Sequence, residues 1–207
     1  RYMIEKIASQ IDSLTFAVVF DGASVWNLEN EECLYRVELS AEISRSAAEV
    51  AIEAGVAPLC YGIEARGYEV HTVPELAIDK AWRSANEHRM IAGDMKFSDG
   101  TVPQLISVYG PSERVRSVAK RWREKLTGVN VLDGCHATKD CWNAYVSPAS
   151  VNKSTGAAAI CRLLKVDPNQ TLAIGDGEND LPLLRWAGLG VCMGNGHENA
   201  RACAGHI

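Results

Sequence analysis

Residues 171–193 read TLAIGDGENDLPLLRWAGLGVCM. The run TLAI is short, apolar and uncharged, as suits a strand buried in a sheet. Gly175 and Gly177 then let the backbone turn sharply. Residues 180–187 have the pattern of a short helix, 188–193 that of a second strand, and a further helix follows from Glu198. Strand alternating with helix is the mark of a parallel, doubly wound sheet. In such sheets ligands bind beyond the carboxyl ends of the strands. That is where Asp176, Glu178 and Asp180 crowd one loop. Like charges at that spacing repel, so a positive partner is expected. Hard oxygen donors suit Mg²⁺, which takes one or two carboxylates and completes its shell with water and phosphate oxygens. The plainer alternative is an acidic helix N-terminus, favoured by the helix dipole.

Upstream, residues 147–156 read SPASVNKSTG, and 157–164 are helical by pattern. Lys153 thus stands at a helix start, where the dipole opposes a cation. An ammonium there makes sense if it faces an anion, such as a phosphate or a carboxylate of the acidic loop. The alternative is a solvated surface lysine.

The middle of the chain has a different character. Residues 43–54 form a helix by period, closed by Gly55. Short strands are expected at 59–63 and 68–72, a helix from Pro74 to about Glu87, and a strand at 105–109. A charged helix follows to Leu126, closed by Gly128, then strands at 129–132 and 142–146. Nearer the N-terminus, 2–11 has helical period. The continuous apolar run FAVVF at 16–20 reads as a strand buried on both faces, and a hairpin is centred on 27–30. We therefore expect an α/β core made of residues 1–36 and 144–207, interrupted by an inserted α+β domain at 37–143.

Composition narrows the function. The chain has 207 residues, 47% of them hydrophobic, enough for a substantial core. A net charge of −5 argues against non-specific nucleic-acid binding. It also means that an anionic substrate must be met by a local positive site. No apolar run reaches membrane-spanning length, so no membrane partner is expected. The 7 cysteines are scattered without a CxxC pair, which points to a reducing, cytoplasmic setting.

Lys153, the loop Gly175-Asp176-Gly177-Glu178-Asn179-Asp180 with Leu181-Pro182-Leu183-Leu184, and Ala187-Gly188-Leu189-Gly190-Val191-Cys192-Met193-Gly194-Asn195 together closely resemble the C-terminal part of Cof-type phosphatases. These are haloacid dehalogenase superfamily members with a type IIB cap. The resemblance, strongest over about residues 147–207, implies a haloacid dehalogenase-like, doubly wound (Rossmann-like) core with the inserted domain as cap. It implies Mg²⁺-dependent hydrolysis of a small phosphomonoester, such as a sugar phosphate, through an aspartyl-phosphate. By position, Lys153 would steady the phosphoryl group, Asp176 and Asp180 would hold Mg²⁺, and Asn179 would lie alongside as a phosphate-binding residue. Other members fitting the same pattern are glycosyl-glycerate (mannosyl-3-phosphoglycerate) and sucrose phosphate phosphatases and sugar phosphomutases. A non-catalytic module that binds a phosphorylated ligand is a rival of another class. The partner implied is a small phosphorylated metabolite, and nothing sets an oligomeric state.

One departure stands out. The family's nucleophile lies in a D-x-D-G-T motif after the first strand, and this sequence has none. At 16–24, FAVVFDGAS offers Asp21-Gly22 after an apolar run, but Val19 occupies the nucleophile's place. That segment resembles the family's later Asn-Gly-Ala stretch, with Asp21 in place of Asn. The nucleophile is thus expected upstream, on a strand–helix unit of roughly 30–50 residues. On this reading FAVVF and TLAI flank an absent central strand, and the chain alone is inactive.

Overall fold

The computed structural model describes residues 11, 14–62, 70–73, 76, 78–93, 97, 102–135 and 141–207. These divide into two compact units, one formed by residues 37–149 and the other by 11–36 with 150–207. The helix expected at 2–11 lies, but for Ile11, outside the described residues, as does Pro74.

The continuous unit is a sheet backed by two helices. Helix α1 (Ala41–Glu53) is capped by Ser40, whose hydroxyl accepts from the Ile43 N–H at 3.2 Å. It ends at Gly55, where φ of +70° suits glycine. Strands β4 (Leu59–Tyr61), β5 (Val70–Thr72), β6 (Met90–Ala92), β7 (Leu105–Gly110), β8 (Val129–Cys135) and β9 (Trp142–Pro148) form one six-stranded sheet, ordered β6-β5-β4-β7-β9-β8. All its pairs are antiparallel except β5 with β6. Alternation along the strands places Cys60, Ile106, Val108, Ala144 and Val146 on one buried face. Against them pack Ala47, Val50 and Ala51 of α1 and Val115, Val118 and Trp122 of α3 (Ser112–Lys125). Trp122 is fully buried, and its indole N–H reaches the Ala47 carbonyl at 3.0 Å, so a bulky apolar ring enters the core without an orphan donor. The short helix α2 (Lys80–Asn86) stacks Trp82 on Tyr109 with centroids 5.5 Å apart.

Three sequence expectations need correction here. The helix placed from Pro74 begins, among the described residues, at Lys80, because Asp79 caps it there and accepts from the Trp82 N–H. Strand β6 was not foreseen, since three residues carry too little period to be read. The boundary after 143 runs through β9, which pairs with β7 and β8 along its length, so the division falls after residue 149 instead.

The second unit is built from both ends of the chain. Strands β1 (Phe16–Val19), β2 (Ser24–Asn27) and β3 (Glu32–Arg36) form an antiparallel meander. Helix α4 (Lys153–Leu164) packs against β1, with Gly156 tight against Val18. Strands β10 (Leu172–Gly175) and β11 (Leu189–Cys192) pair in parallel. Helices α5 (Leu181–Trp186) and α6 (Glu198–Cys203) complete a cluster around Ala173, Leu184, Cys192 and Ala200. The β1 run is not buried on both faces as expected: only Ala17 is buried, because a hairpin rather than a parallel neighbour pairs with it. Strands β1 and β10 belong to separate sheets. Along β10, Ala173 and Gly175 face the cluster while Leu172 and Ile174 are 59% and 62% exposed. Among the described residues, no helix is long and apolar enough to cross a membrane.

Candidate active site

Three pieces of the second unit meet at the end of β10. The first is the acidic loop. After Gly175 the chain continues through Asp176 and Gly177 into a 3-10 turn at Glu178–Asp180, then into α5. Asp180 is nearly buried, at 5% exposure. Its Oδ2 accepts from the backbone N–H groups of Asp176 and Gly177, each at 2.9 Å, which folds the loop around its own carboxylate. Gly175 allows this, since a Cβ there would fall 2.6 Å from that of Asp180.

The second piece is the start of α4. Asn152 and Thr155 form a reciprocal capping box. The cap satisfies the helix N–H groups without an acidic residue, and the lysine at its first position finds its anion elsewhere. Lys153 Nζ lies 2.5 Å from Asp180 Oδ1. Burial pushes the Asp180 carboxyl up. The Lys153 ammonium and the Gly177 and Asp176 N–H groups outweigh that and hold it below the usual carboxylate range.

The third piece is a turn at Phe20–Gly22. Phe20, Asp21 and Gly22 all have positive φ, at 52°, 57° and 102°. Gly22 presses on the α4 cap so closely that a Cβ would stand 1.9 Å from the Asn152 carbonyl oxygen. Asp21 Oδ1 accepts from Asn179 Nδ2 at 3.2 Å.

The four residues singled out from the sequence are therefore neighbours, but their surroundings differ. Both oxygens of Asp180 are engaged by hydrogen bonds. The Asp176 carboxylate is exposed and takes no hydrogen bond from the described residues, while its carbonyl accepts from the His197 N–H at 2.7 Å. Glu178 turns aside to the Asn199 amide at 2.8 Å, with His197 Nδ1 3.6 Å away. Among the described residues, no three His, Cys, Asp or Glu side chains form a ready-made metal cage. What the loop offers is an unengaged carboxylate on Asp176 and an amide oxygen on Asn179. That small, hard set fits Mg²⁺, which keeps several waters and relies on substrate oxygens. Two contributors escaped sequence reading. Asp21 gave only the Asp-Gly signal after an apolar run, and Asn152 only the Asn-x-x-Thr cap pattern.

A family model described as haloacid dehalogenase-like hydrolase matches residues 1–207. A phosphoglycolate phosphatase of Methanopyrus kandleri is 32% identical over 139 residues, covering 66% of this chain and 57% of its own length. The chain thus spans a little over half of that relative. A haloacid dehalogenase-like hydrolase from Bacteroides thetaiotaomicron superposes with a TM-score of 0.78 at 23% identity, covering 100% of this chain and 76% of its own. A sugar phosphatase of subclass IIB in the same superfamily gives a TM-score of 0.73 at 17% identity, covering 98% and 73%. At such identities the last two likenesses speak for the fold.

Proposed function

The chain belongs to the haloacid dehalogenase-like hydrolase family, and from that premise we propose that it carries the phosphoryl-stabilising half of a Mg²⁺-dependent phosphatase for small phosphomonoesters. The observation that carries this reading is the Lys153–Asp180 contact at the end of β10 beside the unengaged carboxylate of Asp176. The relative named phosphoglycolate phosphatase supports the substrate class, a compact anion on a small polar leaving group.

In the proposed reaction an aspartate attacks phosphorus and the substrate alcohol leaves, giving an aspartyl-phosphate that water then hydrolyses. A second acidic group donates a proton to the alcohol and later takes one from the water. Lys153 supplies positive charge to the equatorial oxygens, which is where phosphoryl transfer gains most of its catalysis. Asp180 holds Lys153 and the loop backbone in place. Asp176 would supply a carboxylate to hold Mg²⁺, with Asn179 beside it, and an ion held there would neutralise phosphoryl charge. The nucleophile forms part of the proposal and lies outside residues 1–207. Two observations support that placement: no D-x-D-G-T motif occurs in the sequence, and among the described residues β10 pairs only with β11. The inserted unit at 37–149 acts as the cap that selects the leaving group.

The deciding experiment assays phosphoglycolate and a panel of sugar phosphates with Mg²⁺. One arm uses the 207-residue chain, the other a chain extended by its native upstream coding sequence. Turnover is expected only in the extended protein and is abolished there by Asp176→Ala. Turnover by the 207-residue chain that disappears on Asp176→Ala would refute the upstream nucleophile.

A further inference from the structure

We infer that Asp21 is a positioning residue for the acidic loop: its carboxylate fixes which way the Asn179 amide faces. The inference rests on the Mg²⁺ reading above only for its consequence, not for its geometry. Asn179 Nδ2 donates to Asp21 Oδ1 at 3.2 Å across a sequence separation of 158 residues. A primary amide has a donor end and an acceptor end, and rotating it exchanges them. A carboxylate only accepts. With Asp21 on one side, the NH₂ group must face it, and Oδ1 is committed to the other side.

That other side is the open flank of Gly177. Asn179 Oδ1 lies 2.8 Å, and Asp180 Oδ2 3.6 Å, from where a Cβ on Gly177 would stand. Two oxygens thus border a space that exists because residue 177 has no side chain. An asparagine at position 21 would offer the amide a donor or an acceptor and leave its orientation open. Aspartate removes the choice.

The backbone at Asp21 argues in the same direction. Non-glycine residues at positive φ cost on the order of 1–3 kcal/mol each and persist where their surroundings hold them. Phe20 and Asp21 both sit there, and the Gly22 contact with Asn152 pins the turn to the helix start that presents Lys153. The strained turn delivers a carboxylate to Asn179 from the same structure that sets Lys153.

The test reads the Asn179 side-chain amide directly, by ¹⁵N correlation spectra of metal-free protein, with Mg²⁺ affinity measured separately by calorimetry. In Asp21→Ala the Asn179 NH₂ resonances should move and exchange faster with solvent. Mg²⁺ binding should weaken about tenfold, the low end of what loss of an orienting partner costs a metal site. The single change Asn179→Asp sets two carboxylates face to face and should weaken binding as well. The reciprocal pair Asp21→Asn with Asn179→Asp restores the amide–carboxylate contact and should recover most of the affinity, which a purely structural role for Asp21 would not produce. Asparagine tolerates positive φ, so this pair stays interpretable if Asp21→Ala does not fold. Unmoved Asn179 resonances in folded Asp21→Ala, or no recovery in the reciprocal pair, would overturn the inference. Absence of Mg²⁺ binding in the parent protein would instead refute the metal reading, while the spectra still decide the role of Asp21.

Discussion

Asp180 binds Lys153 through one carboxylate oxygen at 2.5 Å and two loop N–H groups through the other at 2.9 Å each. One nearly buried side chain therefore fixes a cation from α4 and the backbone of a loop that follows β10. Its substitution should be felt as stability before it is felt as chemistry.

Asp180→Asn keeps the shape but removes the charge and one acceptor oxygen. Hydrogen bonds to charged groups are worth about 1.5–3 kcal/mol, and an unmatched donor adds its own desolvation. A loss of about 2–3 kcal/mol is expected on urea denaturation. A loss under about 0.5 kcal/mol would show that the loop is held by other contacts.

The same carboxylate sets an acid limit. Burial raises its pKa, but Lys153 and the Gly177 and Asp176 amides prevail, so the folded value lies below the unfolded one. A depressed acid stabilises the fold above its unfolded pKa, about 4, and loses that contribution as pH falls through the folded value. Denaturation midpoints measured from pH 6 to pH 2 should decline below about pH 4, and Asp180→Asn should flatten part of that decline. A parallel decline in both proteins would assign the acid sensitivity elsewhere.

Gly22 and Gly194 make a matched pair. A methyl at Gly22 meets the Asn152 carbonyl at 1.9 Å and must adopt φ of +102°, whereas nothing lies within 4 Å of a Cβ at Gly194. Gly22→Ala should cost about 3 kcal/mol or more, and Gly194→Ala should be neutral or slightly stabilising. Thermal melts of the two variants side by side would settle it, and equal midpoints would mean that the turn at Phe20–Gly22 relaxes freely.

In the inserted unit, Trp122→Ala empties a fully buried site and breaks the bond to the Ala47 carbonyl. The expected cost is about 3–5 kcal/mol. Followed by near-ultraviolet dichroism, a loss under about 1 kcal/mol would show that the core around Ile106 and Val115 collapses to fill the space.

That Lys153 and the acidic loop are neighbours was legible because both signals are local: carboxylates straight after an apolar strand, and a lysine where a helix dipole disfavours one. Asn179 was marked only by the family resemblance, and the engagement of both Asp180 oxygens by Lys153 and the loop amides had no signal in the sequence. The contact of Asp21 with Asn179 was not legible either, since nothing in either neighbourhood marks a partner so distant in sequence. FAVVF misled for a physical reason. A continuous apolar run reads the same whether its neighbour is a parallel strand or the hairpin that follows it, and periodicity does not identify the neighbour. The end of β9 was likewise hidden, because the pattern weakens at Ser147 and Pro148 while pairing continues with Asn130 and Val129.

The second unit is discontinuous, and this bears on synthesis. Strands β1 to β3 leave the ribosome before the inserted unit, yet their partner helix α4 begins only at Lys153. At ~5–20 residues per second, the roughly 110 intervening residues take about 5–20 s to emerge. For that interval a three-stranded meander with an apolar first strand has no helix to cover it, while the inserted unit can already fold. The nascent chain is therefore most exposed to chaperones and to wrong pairing before residue 153 appears, and slower translation across the inserted unit would lengthen that window.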